Sequence, residues 1–513
     1  MIAYVLSPVK VVFRYRINSM GRLDACLMKK LVLKNQNSAR GAILKVLLIQ
    51  PRCSAELSEE VFMHEPLALE YLGAGLKLDG HEVAVIDARI DSDIEGAFER
   101  FNPRVAGITG YTNQAPIVKD IAARLKAINP KVFIVVGGHH ATVRPEDFNE
   151  AFIDLIVIGE GVGAIREIAE RLKHGRNFDD ILGLGIPGAE MCFTEKRVHP
   201  ELDSLPFPDR TLTEKYRNNY FNEWLKPLAS IRTSLGCTSR CNFCALWAIT
   251  DGKYLRRSPE SVVEELKTIR ETKVFFCDDE SMCDVHRIKL LGDLIREAGI
   301  QKKYFLYARV DTIVRHPELF RQWRDIGLTQ VFVGMESFSD RRLEGLNKGI
   351  TTKQQAQAVK ILDALGILLY ANFIVDPAFS REDFRELVRY VRMLDLKYAS
   401  FSVLTPLPGT ALYDERESEL LTKRHEMFDF MHTVLPTTLP LKEFYAELAR
   451  LFGNALPVRH TFGILRKYGG MRALKLLMKY PYYLAKLKKG YMDHGRDKIF
   501  LTPAGEALSR TRV

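Results

Sequence analysis

At 513 residues with a formal net charge of +10, the chain exceeds the size at which a single hydrophobic core keeps growing, so two or three domains are expected. Its 47% hydrophobic and 27% charged residues are those of an ordinary soluble globular protein. Eight cysteines, three of them crowded between positions 237 and 244, argue against a disulfide-stapled secreted protein and for metal binding in a reducing cytosol, and no apolar run approaches the roughly 20 residues of a membrane-spanning helix.

In chain order, residues 1–44 carry many Lys and Arg and a single acid, Asp24. They lack a continuous apolar stretch and a small-residue cleavage site, so they read as a basic extension or a start placed too early, with Met20 and Met28 as other starts, in preference to a transit-like or membrane-touching segment. From Lys45 short apolar strands alternate with segments of helical period. The strands are Val46–Ile49, Val83–Asp87, Val105–Thr109, Val132–Val136 and Leu155–Ile158, and stretches such as Leu67–Leu78 and Ile117–Ile128 repeat apolar residues three and four apart. Residues 45–204 are thus predicted to form a doubly wound α/β domain with a parallel sheet.

Ligands of such sheets sit at the carboxyl ends of the strands. Three of those ends bear glycine: Gly110-Tyr111-Thr112, Gly137-Gly138-His139-His140 and Gly159-Glu160-Gly161. Any one of these glycines could simply make a tight turn, but three on one rim favour a large, flat ligand.

Leu205-Pro206-Phe207-Pro208-Asp209-Arg210 reads as a semi-rigid linker. A second alternation follows, with strands near Ala229–Ser234, Thr272–Cys277, Tyr304–Arg309, Gln330–Met335, Leu368–Ile374 and Tyr398–Leu404, separated by helices such as Val262–Glu271, Lys289–Ala298 and Thr352–Leu365. Six parallel strands with their helices, within 205–425, predict an open partial (β/α)6 barrel whose chemistry lies at the strand carboxyl ends. Residues 426–513 are predicted to be a helical, basic carboxyl-terminal region.

The first barrel strand runs into Ser234-Leu235-Gly236-Cys237-Thr238-Ser239-Arg240-Cys241-Asn242-Phe243-Cys244, a C-x3-C-x2-C spacing. Three thiolates on one loop can hold three irons of a cubane cluster and leave the fourth open. A structural zinc site would need four closed ligands, and no second C-x2-C follows; three inert buried cysteines at one strand end would be a poor coincidence.

With Phe243 just before its last cysteine, the motif resembles that of the radical S-adenosylmethionine enzymes, over roughly residues 225–415. The resemblance implies that Cys237, Cys241 and Cys244 bind a four-iron four-sulfur cluster whose open iron chelates S-adenosylmethionine, and that one electron releases a 5′-deoxyadenosyl radical. It further implies that Asp278 and Asp279 lie near the methionine moiety, that Arg309 ends the third strand beside it, and that Glu336, followed by Asn347-Lys348-Gly349, is the acid near the ribose or amino group. The loop Thr405-Pro406-Leu407-Pro408-Gly409-Thr410 resembles the one after strand six. Val375-Asp376-Pro377 departs from the family's usual Gly-Leu-Pro-Gly turn, which puts adenine contacts there in doubt. The alternative for the acids is a solvated loop, and Cys277 and Cys283 read as inert thiols before radical-handling ones.

The amino-terminal domain, with its Gly137-Gly138-His139-His140-Ala141-Thr142 turn, resembles the cobalamin-binding domain of cobalamin-dependent radical enzymes. The resemblance implies that Gly110, Thr112, Gly137, Gly138, His140, Gly159 and Glu160 bind cobalamin. The lower-ligand motif Asp-x-His-x-x-Gly is absent, since the region reads Tyr111-Thr112-Asn113-Gln114-Ala115-Pro116, so no histidine of that loop reaches cobalt. His139 and His140 read as turn histidines before cobalt ligands.

The three cofactors together imply a methyltransferase acting on an unactivated carbon. Residues Phe428 to Tyr445 resemble a block found after the barrel in hopanoid C-3 methylases, which raises a polycyclic triterpenoid lipid above other substrates. Partners implied are a small-molecule or lipid substrate and an electron donor such as ferredoxin or flavodoxin. Between Leu448 and Met492 there is no acid but ten Lys or Arg residues, interleaved with Leu474, Tyr480, Tyr482 and Tyr483. Such a segment can lie on an anionic membrane surface, can bind nucleic acid, or can be a solvated face of the barrel; membrane contact is favoured and nucleic acid is not expected, giving a cytoplasmic protein with contact at the inner membrane face. Two other functions share the features read so far: an oxidative cyclase of the magnesium-protoporphyrin monomethyl ester type, and a non-catalytic cobalamin and cluster sensor, for which no output module is evident.

Overall fold

The computed structural model describes residues 43–53, 62–175, 177–222, 225–455 and 471–496. Most of the basic extension read at 1–44, and residues 456–470 of the basic carboxyl-terminal segment, lie outside the described residues. The first sheet contains β1 (Lys45–Gln50), β3 (Glu82–Asp87), β4 (Val105–Thr109), β5 (Phe133–Gly137), β6 (Leu155–Val157), β7 (Leu184–Ile186) and β8 (Cys192–Phe193), while β2 (Phe62–Met63) lies apart. The order is β3-β1-β4-β5-β6-β7-β8. Its first five strands are parallel and β7 and β8 add antiparallel. The two antiparallel additions, three and two residues long, are too short to announce themselves by alternation. Near-continuous Val, Ile and Leu in the parallel strands bury both faces, as a sheet covered on both sides requires. Leu47, Ile49, Ile134 and Val136 join one apolar cluster, and Val46, Leu48, Val135 and Leu155 the other.

The second unit holds β9 (Phe221–Asn222), β10 (Ala229–Ile231), β11 (Ser234–Leu235), β12 (Leu255–Arg256), β13 (Lys273–Phe276), β14 (Lys303–Tyr307), β15 (Leu328–Glu336), β16 (Leu368–Val375) and β17 (Tyr398–Val403). Six of these form one parallel sheet in sequential order, β10-β13-β14-β15-β16-β17. Instead of continuing to Ser234, the first strand stops at Ile231, and Ser234–Leu235 pairs antiparallel with β12. The outward side chains of the sheet, among them Phe276, Leu306, Val331, Ala371 and Phe373, pack into the main core with the helices Pro259–Thr268, Val285–Glu297 and Thr352–Leu365. Residues 428–440, expected to be helical, have no regular structure. Pro436 and Pro440 deny the backbone its donors, and the helix Leu441–Asn454 begins only after Pro440, burying Phe444, Tyr445 and Leu448 against the barrel.

A buried ionic network joins the two units. Arg217 bonds Glu65 and, at 2.7 Å, Glu271; Arg210 bonds Glu265 at 2.7 Å, which also holds Arg257. The stretch read as a linker is therefore docked: Asp209 N donates to Glu70 O (3.1 Å) and its carboxylate meets Lys77 at 2.5 Å. Burial, reinforced by Glu65, pushes the Glu70 carboxyl up to about 8.

Candidate active site

Gly236 turns the chain into the cysteine loop at φ 91°, and a Cβ there would fall 2.1 Å from Lys253 O, so the position tolerates only glycine. Its N–H donates to Asp279 (2.7 Å). Asp278, fully buried, accepts from Thr233 N and Oγ1 (both 2.6 Å) and from Ser234 N (2.9 Å). The loop is also held from the far side. Asn242 Nδ2 donates to Gly345 O (2.9 Å), Asn347 Nδ2 to Arg240 O (2.6 Å) and Trp247 Nε1 to Ser239 O (2.7 Å), with the Arg240 guanidinium 4.3 Å above the Trp247 ring.

Cys237, Cys241 and Cys244 are half-buried, as is Phe243. Burial, with Cys241 and Cys237 adding, pushes the Cys244 thiol up to about 11, so its sulfur sits in a poorly solvated spot within electrostatic reach of the other two. Three thiolates are stable there only if cations take up their charge, and the donor set fits a cubane held by three protein ligands. Arg309 acts on the Cys241 and Cys237 sulfurs and Lys348 on that of Cys241. Lys348 Nζ pairs with Glu336 at 2.6 Å in a buried setting, Glu336 adopting φ 61°. Gly334 makes room for that pair, since a Cβ would lie 2.0 Å from the Glu336 carboxylate. Arg309 bonds Asp311 (2.9 Å) and Lys348 O (2.9 Å). Glu280 was not singled out by the sequence reading, yet it sits beside Arg309 with its carboxyl pushed up to about 7 by burial.

On the opposite side, Thr109 and Gly137 are register partners, which sets Gly110 and Gly138 side by side. A Cβ on Gly138 would meet Thr109 Oγ1 at 2.6 Å and Gly110 N at 2.9 Å, whereas one on Gly159, at φ 83°, would meet nothing within 4 Å. The rim is therefore a backbone cradle with open space above Gly159, a surface that a flat macrocycle can approach.

Between rim and cysteine loop lies an interior chamber. Tyr111 is 56% accessible although burial raises its phenol, a combination that describes a side chain enclosed by protein but lining a void. His139 stacks edge-on against it, ring centroids 4.7 Å apart. Burial, then Arg232, holds His139 down at about 4, and burial pushes the Cys277 thiol up to about 12. Arg232, Cys277 and Tyr307 enter from the barrel side. Arg232 carries no sequence signal, because only the folded sheet turns it toward the other domain.

Four of the expected site residues are placed differently. His140 has no exposed surface and spends both ring nitrogens on Thr112 Oγ1 (3.2 Å) and Asp147 (3.0 Å), so neither His140 nor Thr112 reaches the chamber. Glu160 caps the helix Gly161–His174, accepting from Val162 and Gly163 N–H. Asp278 positions the loop and offers no free oxygen. In each case a short polar side chain at a strand end found a backbone or side-chain partner before a ligand.

A model of the B12 binding domain matches residues 59–169 and one of the Radical SAM superfamily matches residues 231–391. The chain is 33% identical over 416 residues to the hopanoid C-3 methylase of Methylococcus capsulatus, with 79% of each protein covered. It belongs to the cobalamin-binding radical S-adenosylmethionine enzymes. Among relatives of this family, an anaerobic magnesium-protoporphyrin IX monomethyl ester cyclase from Rubrivivax gelatinosus is 26% identical, covering 75% of this chain and 72% of its own. The fold is shared with the cobalamin-dependent radical enzyme OxsB (TM-score 0.67, 18% identity, 88% of this chain and 72% of that one) and with the methyltransferase TsrM from Kitasatospora setae (TM-score 0.64, 18% identity, 88% and 100%). As a cobalamin-dependent radical S-adenosylmethionine methyltransferase, the chain uses cobalamin, S-adenosylmethionine and a four-iron four-sulfur cluster.

Proposed function

We propose that the enzyme methylates an unactivated carbon of a polycyclic, lipid-like molecule, with a hopanoid-type triterpenoid as the leading candidate. The observation that carries this reading is the inner face of the barrel. Tyr307, Phe332, Tyr370 and Tyr398 stand in register across β14 to β17, with ring centroids 5.1, 6.2 and 5.1 Å apart. Their outward neighbours are sealed in the core, but Tyr307, Phe332 and Tyr370 are only half-buried. A continuous row of stacked and tilted rings, three of them only half-buried, is an apolar wall for a flat, rigid skeleton. The likeness to hopanoid C-3 methylase supports the same class.

When bound, the cofactors supply hydrogen abstraction through a 5′-deoxyadenosyl radical and the methyl group to be transferred. The chain's part is placement and exclusion of water. Asp278 and Asp279 hold the cysteine loop, Glu336 and Lys348 set the polar floor beside it, the glycine rim seats the macrocycle, and the aromatic wall aims one carbon into the gap. An electron donor of the ferredoxin or flavodoxin kind completes the reading. So does contact of the carboxyl-terminal helix Met471–Lys488 with an anionic membrane, since Tyr482 is 62% exposed and Lys486, Lys488 and Lys489 are exposed near it; no described helix is long and apolar enough to cross one.

Anaerobic incubation of the reduced holoenzyme with methyl-labelled S-adenosylmethionine and a triterpenoid extract tests the proposal. The expected product is a labelled triterpenoid one methylene heavier. An unlabelled, ring-closed product would replace methylation with cyclisation, and label confined to non-lipid products would remove the lipid class.

A further inference from the structure

Away from the chamber, three ligating side chains meet where the cobalamin domain touches the segment that follows the barrel. His140 comes from the short helix His139–Val143, Asp147 from the turn Pro145–Phe148, and His425 from the turn His425–Met427, almost three hundred residues later. His140 Nε2 lies 3.0 Å and His425 Nε2 3.4 Å from Asp147 Oδ2, and one ligand atom from each residue lies within 4.8 Å of the others. The two imidazole rings meet edge to face with centroids 4.7 Å apart.

We propose that His140, Asp147 and His425 form a divalent-metal site, of zinc class, that clamps the post-barrel segment to the cobalamin domain. Tetrahedral zinc with bonds of about 2.0–2.1 Å sets its ligand atoms roughly 3.3 Å apart, so the 3.0 and 3.4 Å separations already match two edges of the polyhedron. The third edge, between the two imidazoles, is no longer than 4.8 Å. Two imidazoles and one carboxylate are a borderline-soft set suited to zinc. The ring that is fully buried, His140, has its other nitrogen 3.2 Å from Thr112 Oγ1, which is the outer-shell contact that fixes the tautomer and orientation of a metal-bound histidine. Phe148 packs edge-on against the same ring at 5.5 Å, and Phe428 flanks His425 at 5.9 Å, giving the site an apolar collar. Asp147 and His425 keep 22% and 24% side-chain exposure, leaving an entry path and room for a water as fourth ligand. Arg144 Nε, 3.9 Å from the same Asp147 oxygen and itself 41% exposed, can turn to solvent when a cation takes that oxygen.

The clamp differs in kind from the cofactor sites. It joins the rim turn after β5 to the segment that leads into Phe428 and the block before the last barrel helix, so metal would restrain the two halves that enclose the chamber. The experiment is equilibrium dialysis of zinc onto the holoenzyme, with cluster and cobalamin already bound so that the cysteines are occupied. The expected result is one zinc per chain, with a higher apparent melting temperature in its presence. His425→Ala should lose that zinc while keeping iron and cobalamin, and so should His425→Gln, which retains a hydrogen-bond donor to Asp147 but is a poor zinc ligand. Thr112→Val should weaken binding roughly 10–100-fold by releasing the His140 ring. A wild-type holoenzyme that retains no zinc overturns the proposal, as does zinc retained equally by both His425 variants.

Discussion

In the amino-terminal sheet both faces are sealed, so the surface left for a ligand is the row of strand ends where Gly110, Gly138 and Gly159 stand. In the barrel sheet the inner face is sealed only in part, where Phe275 and Phe305 pack on Leu225 and Leu228; β16 alternates half-buried and buried residues from Leu368 to Val375, and its half-buried set looks into the chamber. The same strand–helix alternation thus yields two kinds of vacancy, a rim and a lined interior. A doubly wound sheet offers its edge to a flat cofactor, while a curled, one-sided sheet offers its hollow to a substrate. The buried network of Arg217, Arg210, Glu65 and Glu265 makes the two vacancies face one another.

The largest effect that would break this pairing is removal of one cysteine of the loop proposed to hold the cluster. Cys241→Ala should reduce iron to substoichiometric levels and S-adenosylmethionine cleavage to background, while cobalamin binding at the other sheet persists; loss of both cofactors would mean that the two sites are not separable. Next comes the junction. Arg217→Ala leaves Glu271 without the cation that pairs it and Glu65 with Arg210 alone at 3.8 Å, and should cost about 3–5 kcal/mol in denaturant unfolding, more than any single change on the rim.

The lined interior is sharpened by truncating its wall. Tyr370→Ala removes apolar surface worth about 1.5–3 kcal/mol to a ligand that buries it, so kcat/KM for a lipid-like substrate should fall roughly 10–100-fold. The uncoupled cleavage of S-adenosylmethionine should be unchanged, because the wall does not touch the cysteine loop. The smallest effect is electrostatic. Glu280, raised from 4.5 to about 7 by burial, is protonated in the folded protein at mildly acid pH. Its contribution to stability is fully present below pH 4.5 and is lost as pH rises through about 7. Glu280→Gln should flatten the decline in melting temperature between those limits, and an unaltered pH profile would place the charge elsewhere.

Most of the fold could be read from the chain, because near-continuous Val, Ile and Leu in strands and three-to-four spacing in helices leave few alternatives; the helix over Leu67–Leu78 and the one over Thr352–Leu365 match residue for residue. The gathering of three cysteines on one loop was equally legible, since spacing is a local property. The polar residues around it were legible only as types. Asp278 and Glu160 look like ligands in sequence, yet each is consumed by a hydrogen bond whose partner is set by folding, and His140 is turned away from the rim toward Asp147.

The order of elements, the cysteine loop, the glycine-bearing strand ends and the cofactor set were therefore written in the sequence, because each depends on residues close in the chain. Tertiary structure alone decided that Arg232 and Tyr307 meet Tyr111 and His139 across one chamber, that Tyr307, Phe332 and Tyr370 stay only half-buried on the barrel's inner face, and that His425 reaches His140. Those facts depend on how two sheets are locked together, and burial and charge pairing over hundreds of residues leave no periodic trace along the chain.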